Sequence, residues 1–331
     1  GMADHTQFRA AARAGSGEAV PGPVPGILIG GRAGREKKRE YLLLSLTRWP
    51  GVVLAVAWLI VYGAGWVEWS AFFAFYVLNM MGVTIGYHRY FTHNCFKTSK
   101  PMRYALGIMA QLAGMASVRK WVIDHRRHHA RTDQPGDPHS PYFDSEGRPA
   151  SGGKALFRAH MGWFFDDSTT DEALYGKGLD DEVLRFTHRT RWFWYYFSIF
   201  ALPALWAIAF AGFDGRVIAG TIFIGGFLRI NAVLHAELSL NSFGHSRGYQ
   251  LKSGGGQSRN NWLLAILTLG DGWHNNHHHH PRSASCKIRW WEFDFCGWTV
   301  DVWEKLGLVW DVQRAPRYAR DDHGTLAPVR S

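Results

Sequence analysis

The sequence predicts an all-α integral membrane protein, with four transmembrane helices in two hairpins standing under a helical cap. Three observations carry this. Four apolar runs of near-bilayer length fall in two pairs, each pair joined by a minimal polar turn. The segments outside those runs are polar and hold nearly all of the 37 Lys and Arg. Most of the 17 histidines gather in four places next to the ends of the runs.

Composition fits this class. The 331 residues suffice for one membrane domain with a sizeable cap. Mean hydropathy is only −0.18, an average that hides how tightly the apolar residues are bunched. The 16 Trp suit membrane interfaces. The net charge of +10 fits a positive-inside bias, with attraction to an anionic lipid surface or a phosphate-bearing substrate. No nucleic-acid partner is expected. Three cysteines without a CxxC pair argue against a disulfide scaffold and fit a reducing compartment. Residues 1–40 hold no apolar segment of the secretory kind.

In chain order, residues 1–40 are rich in Gly, Ala, Pro and Arg and end in Arg35-Glu-Lys-Lys-Arg39, which predicts a disordered basic arm. A domain over 41–312 follows. Its first span, about 49–67, is bounded by Trp49 and Trp66, and Glu68-Trp69-Ser70 is the expected turn. The second span, about 71–87, leads into His88. Residues 88–191 are a polar cap segment. Within it the apolar window Met102–Val118 contains Gln111 and is short for a span, so a cap or interfacial helix is expected. The Asp- and Pro-rich stretch Thr132–His139 ends a following helix. Spans three and four occupy about 192–213 and 217–236, joined at Asp214-Gly215-Arg216, with a kink expected at Pro203. Residues 246–312 form a second cap segment, with a short helix over Asn261–Leu269 and an amphipathic one near Val302–Val309. Residues 313–331 read as a flexible tail. Because Arg216 is the lone cation of the two turns, the positive-inside rule puts both termini and the cap in the cytoplasm.

The histidines are organised around Asp124-His-Arg-Arg-His-His129. On a helix, His125, His128 and His129 fall at i, i+3 and i+4 and project from one side. His274, His277 and His278 repeat the pattern; His88 and His93 form a pair; and Asn241 stands one turn before His245. Imidazole is the commonest transition-metal ligand, and nine are too many for one ion. Two ions with largely nitrogen shells account for the number. Such shells suit iron, copper, nickel or zinc, and the Glu-x-x-His pairs of carboxylate-bridged sites are lacking. Asp124 and Asp271 neighbour the triplets and are candidates to hold ligand imidazoles in place. His5, His139, His160, His188 and His323 read as surface or structural residues, and His279 and His280 as cap surface.

These boxes resemble those of the membrane-bound fatty acyl desaturases of the stearoyl-CoA desaturase type. The likeness lies in Gly86-Tyr-His-Arg-Tyr-Phe-Thr-His93, in Trp121 with Asp124-His125-Arg126 and His128-His129, and in Thr132-Asp133 with Asp137-Pro138-His139. It continues in His160-x-Gly162-Trp163, Asn241-Ser242 with His245, and Gly272-Trp-His-Asn-Asn-His-His278, and it covers about residues 45 to 312. The resemblance implies four spans under a cytosolic cap and a centre of two non-haem iron ions at their junction. The nine histidines (His88, His93, His125, His128, His129, His245, His274, His277 and His278) would be ligands, with Asn241 acting through a water. It further implies an oxidoreductase that uses O2 to insert a cis double bond, at carbon 9 in the commonest case, into a long-chain acyl-CoA, with electrons from a b-type cytochrome or a ferredoxin. An acyl-lipid substrate, a hydroxylation or an acetylenic product would use the same boxes. Glu237 departs from the family pattern, where a small or uncharged residue is usual. Outside this family, a non-enzymatic membrane metal-binding protein would need ionisable residues along its spans, which hold almost none, and a bis-histidine haem protein would leave most of the histidines idle.

Overall fold

The computed structural model describes residues 17–254 and 256–330. Among them four helices are long and apolar enough to cross a membrane: α1 (Gly31–Tyr62), α2 (Trp66–Thr92), α6 (Glu182–Ala211) and α7 (Gly215–His245). The cap carries α3 (Lys100–Leu112), α4 (Val118–Ala130), α5 (Gly152–His160), α8 (Trp262–Leu267), α9 (His274–His279) and α10 (Phe295–Lys305). Large side chains such as Val53, Ile60 and Val61 on α1, Phe73 on α2 and Leu205 on α6 face outward, as lipid contact requires.

Both hairpin turns lie slightly earlier than expected. The first runs through Gly63–Gly65, where Gly63 adopts φ 68°; Glu68 already belongs to α2 and accepts the Gly65 N–H at 2.9 Å. In the second, Asp214 caps the first turn of α7 by accepting from the N–H of Arg216 and Val217. At their other ends the helices run beyond the predicted spans. α2 continues to Thr92 and α7 to His245, so two membrane helices carry their histidines directly into the cap.

The expected disorder before residue 41 does not hold over 17–40; residues 1–16 lie outside the described ones. Strands β1 (Val20–Pro21) and β2 (Ile27–Ile29) pair antiparallel, and β2 pairs with β4 (Ser168–Thr170) in the register Ile27↔Thr170. α1 starts at Gly31, and Lys37 is buried. Its ammonium donates to the carbonyls of Trp163 and Ser168 and to Asp166 Oδ1 at 2.8 Å. Basic composition suggested a solvated arm, but tertiary partners for strand and ammonium order it. The C-terminal segment is likewise structured through residue 330. Arg314 meets Asp301 and Glu304, and β6 (Tyr318–Arg320) pairs with β7 (Leu326–Pro328). The remaining pair, β3 (Lys97–Thr98) with β5 (Val309–Trp310), ties the end of the cap to the exit of α2.

Close helix approach fixes the bundle. A Cβ on Gly82 of α2 would lie 2.3 Å from Met109 O on α3, and one on Gly226 of α7 would lie 2.2 Å from Ile199 O on α6. Inside the bundle, Arg229 of α7 donates to Asn79 Oδ1 on α2 at 2.7 Å and to Ser198 Oγ on α6 at 2.8 Å. One guanidinium thus binds three spans, and its buried charge is stabilised by those acceptors. α6 widens to π geometry over Phe197–Ala201, just before Pro203, where the proline withholds its backbone donor.

Arg89 does for the cap what Arg229 does for the bundle. Fully buried at the end of α2, it donates to Asp271 Oδ1 at 3.0 Å, to Asp294 Oδ2 at 2.9 Å and to Ala284 O at 2.8 Å. Replacing it leaves two buried carboxylates without their cation. Arg89→Met is expected to cost about 3–5 kcal/mol, seen as a lowered Tm in detergent; an unchanged Tm would show that the pair of aspartates finds other partners.

Candidate metal centre

The nine predicted histidines converge where α2 and α7 leave the bundle and meet α4 and α9. They separate into two groups, His88, His93, His125, His129 and His277 in one, His128, His245, His274 and His278 in the other. Within each group, one candidate ligand atom per residue lies within 4.8 Å of all the others. In the first, the Nε2 atoms of His88 and His277 are 3.0 Å apart, those of His277 and His129 3.0 Å, and those of His129 and His125 3.1 Å. In the second, His245 and His274 stand at 2.9 Å and His274 and His278 at 3.1 Å.

These spacings test the fit to metal ions. Two nitrogens at right angles around an ion, each about 2.0–2.1 Å from it, are about 2.8–3.0 Å from one another. The observed contacts match such edges. Protonation supports the same geometry. His88 Nδ1 lies 2.9 Å from Asp271 Oδ2, His128 Nδ1 2.8 Å from Asp137 Oδ1, and His245 Nδ1 2.7 Å from Asp133 Oδ2. A ring that donates from Nδ1 to a carboxylate keeps its Nε2 as a lone pair, the tautomer a metal requires. The Nε2 atoms of His93 and His128 are buried without any hydrogen-bond partner, a costly state that an ion would relieve.

The aspartates differ in part from expectation. Asp271 holds His88, and Arg89 holds Asp271 in turn. Asp124 touches no ligand ring; it accepts the Thr170 hydroxyl at 2.8 Å. Its place is taken by Asp133 and Asp137, whose signal was their position in the turn directly after the His125 triplet. Burial alone would push Asp271 and Asp133 up, but His88 with Arg89 and His245 respectively hold them below the usual carboxylate range. His139 is buried against His128, with ring centroids 4.3 Å apart, and forms a third close set with Asp137. His160 stacks on His235 and bonds Ser242, while His279 meets Lys252 O and His280 meets the Tyr318 hydroxyl, all outside the two groups.

A cavity touches both groups. Its apolar wall comes from Leu44 of α1, Met115, Trp121, Trp163, Phe164 and, on α7, Leu234, Leu238 and Leu240. His88 and His125 of the first group and His274 of the second open onto it, as do Asn241 and Glu237. A second cleft, of mixed charge, shares Asp124 and Trp163 with this cavity and carries Lys37, Arg119, Lys120 and Arg127 beside Glu36, Glu40, Asp171 and Glu172. Arg119 is paired with Glu172 at 2.8 Å, and Lys120 lies 4.7 Å above the Tyr41 ring. Arg126 is engaged with the carbonyls of Tyr175 and Lys177.

Burial first, and neighbouring imidazoles second, hold His93, His125, His129, His274, His277 and His278 well below the ordinary histidine value. In the unfolded chain these rings take up protons near pH ~6.5, whereas the folded chain excludes them. The metal-free protein therefore keeps its stability above that pH and loses it as pH falls. We expect a level Tm from pH ~8 to ~7 and a steep fall below ~6.5, with bound metal moving the fall to lower pH; a level profile to pH ~5 would contradict neutral burial of the rings.

The chain matches the family Fatty acid desaturase over residues 64–311. It is 36% identical to the hex-5-enoyl-[acyl-carrier protein] acetylenase of Moorena producens, over 83% of this chain and 86% of that protein. It is 32% identical to the sn-1 stearoyl-lipid 9-desaturase of Anabaena variabilis (75% and 84% covered) and 34% identical to an acyl-CoA 5-desaturase of Anemone leveillei (74% and 73% covered).

Proposed function

The chain belongs to the fatty acid desaturase family, and on that premise we propose that it inserts a cis double bond into a long-chain acyl group, using two iron ions held by the two histidine groups. It is an oxidoreductase acting on paired donors with O2. The observation that carries the finer reading is the shared wall of the cavity, where apolar side chains and imidazoles from both groups face one space.

Methylenes leave water at about 0.8 kcal/mol each, so the cavity favours an extended hydrocarbon segment and keeps water from the reacting carbons. Bound iron would supply the oxidising power, drawn from dioxygen, that side-chain acids and bases lack. Two hydrogens leave adjacent methylenes; dioxygen takes them up with two electrons and two protons from outside, and two waters form. His88, His128 and His245 are oriented by Asp271, Asp137 and Asp133, so the lone pairs that would hold the ions are fixed before substrate enters. Asn241, on the cavity wall, would hold one ion through a water. The electrons come from a small redox protein, a ferredoxin or a b-type cytochrome, on the cytoplasmic face, where the cap and both termini lie.

For the acyl carrier we propose coenzyme A and, for the bond, carbon 9. In support, the mixed-charge cleft beside the cavity holds Lys120, which lies over the Tyr41 ring, as the cation that a phosphate-bearing head would meet. The lipid-linked carrier is the second reading, favoured by the likeness to the stearoyl-lipid 9-desaturase. The test supplies stearoyl-CoA, a stearoyl phospholipid and a stearoyl-carrier-protein thioester to protein loaded with iron, with a ferredoxin or b-type cytochrome reducing system. We expect two irons per chain and a carbon-9 olefin from stearoyl-CoA, with Lys120→Ala raising KM for that substrate about tenfold and leaving kcat unchanged. Turnover of the phospholipid alone would replace the carrier, and no iron after anaerobic reconstitution would overturn the centre.

A further inference from the structure

Glu237 is the carboxyl that the histidine pattern does not use. It stands on α7 one turn before Asn241, so the two side chains share a helix face, and both line the cavity onto which His88, His125 and His274 open. Its Oε2 is buried without a hydrogen-bond partner. An unpaired carboxyl oxygen kept from water is costly, and a hydrocarbon chain lying along the cavity offers it nothing. The other carboxyl on the same wall, Asp124, is already engaged by the Thr170 hydroxyl, which itself accepts from Arg127.

Charge points the same way. The imidazoles are neutral ligands, and two divalent ions would bring four positive charges into the interior. Asp133 and Asp137 supply one negative charge each, and the cluster of Asp271, Asp294 and Arg89 supplies one in sum. One positive charge is left over from these groups, Arg48 buried on the same cavity wall adds another, and an ion's own charge is the largest local field in such a site. We propose that Glu237 supplies a carboxylate to the metal centre from the cavity side, bound to an ion directly or through a single water. It adds a carboxylate to shells otherwise made of imidazoles and the water held by Asn241, and it places the fourth negative charge beside the ions. This rests on the reading of the histidine groups as metal sites.

The test compares the iron-loaded full chain with Glu237→Gln and Glu237→Ala. Four quantities are read: iron retained in competition with a chelator, the Mössbauer spectrum, the Tm of each metal-free form, and the products of turnover. Wild type is expected to hold two irons. Both variants are expected to bind iron about 10–100-fold more weakly and to shift the spectrum of one of the two ions. Their metal-free Tm should equal or exceed that of wild type, because an unpaired buried carboxyl has been removed. Unchanged affinity and spectrum in both variants would overturn the proposal. So would a change confined to the products, which would make Glu237 a contact for a polar group on the substrate. Wild type without iron would instead overturn the metal reading itself.

Discussion

Imidazole nitrogens that face one another at 2.9–3.1 Å can bind a metal ion together only while the facing atoms carry no proton. Much of the structure serves that condition. Burial keeps the rings neutral, and Asp271, Asp137 and Asp133 each draw a proton to the Nδ1 side of a ring. Of the Nε2 atoms left behind, that of His128 has no hydrogen-bond partner, nor has that of His93, a costly state for buried nitrogens. A protein carrying such an arrangement for stability alone would have been better served by apolar side chains.

The bundle and the cap are joined at this point by buried guanidinium groups. Arg229 binds α2, α6 and α7 below the centre, and Arg89 binds the end of α2 to Asp271 and Asp294 in the C-terminal cap segment. Asp271 belongs to both systems, since it accepts from Arg89 with one oxygen and meets His88 with the other. Stability and site geometry are therefore coupled through one carboxylate.

The two triplets divide in the same way. A helix turns about 100° per residue, so the i and i+4 positions diverge by about 40° and the i+3 position lies about 60° to the other side. His125 and His129 stay in one group while His128 joins the other; His274 and His278 stay together while His277 crosses over. The facing helices α4 and α9 exchange their i+3 histidines, and each group receives further imidazoles from a membrane helix: His88 from α2, with His93 just beyond its end, and His245 from the end of α7. The exchange makes the two groups depend on one another's helices, so neither forms without the whole junction.

The class of fold, the four spans and the gathering of nine histidines were legible because each follows from a local rule. Bilayer length marks a span, and helical spacing marks a shared face. Turn positions were legible to within a few residues; Glu68 looked like part of the turn and is a cap, a choice made by the Gly65 N–H it accepts. The order of residues 17–40 was not legible, because it depends on the pairing of β2 with β4 and on acceptors for Lys37 that lie far along the chain. Nor was the choice among the aspartates, since all four lie close to the histidine boxes in sequence, and which of them meets a ring is decided where the loop after α4 folds back. By itself the sequence determined which residues could face one another along a helix. Only the tertiary structure decided which of them meet across helices, because that depends on the angle and depth at which α2, α4, α7 and α9 pack.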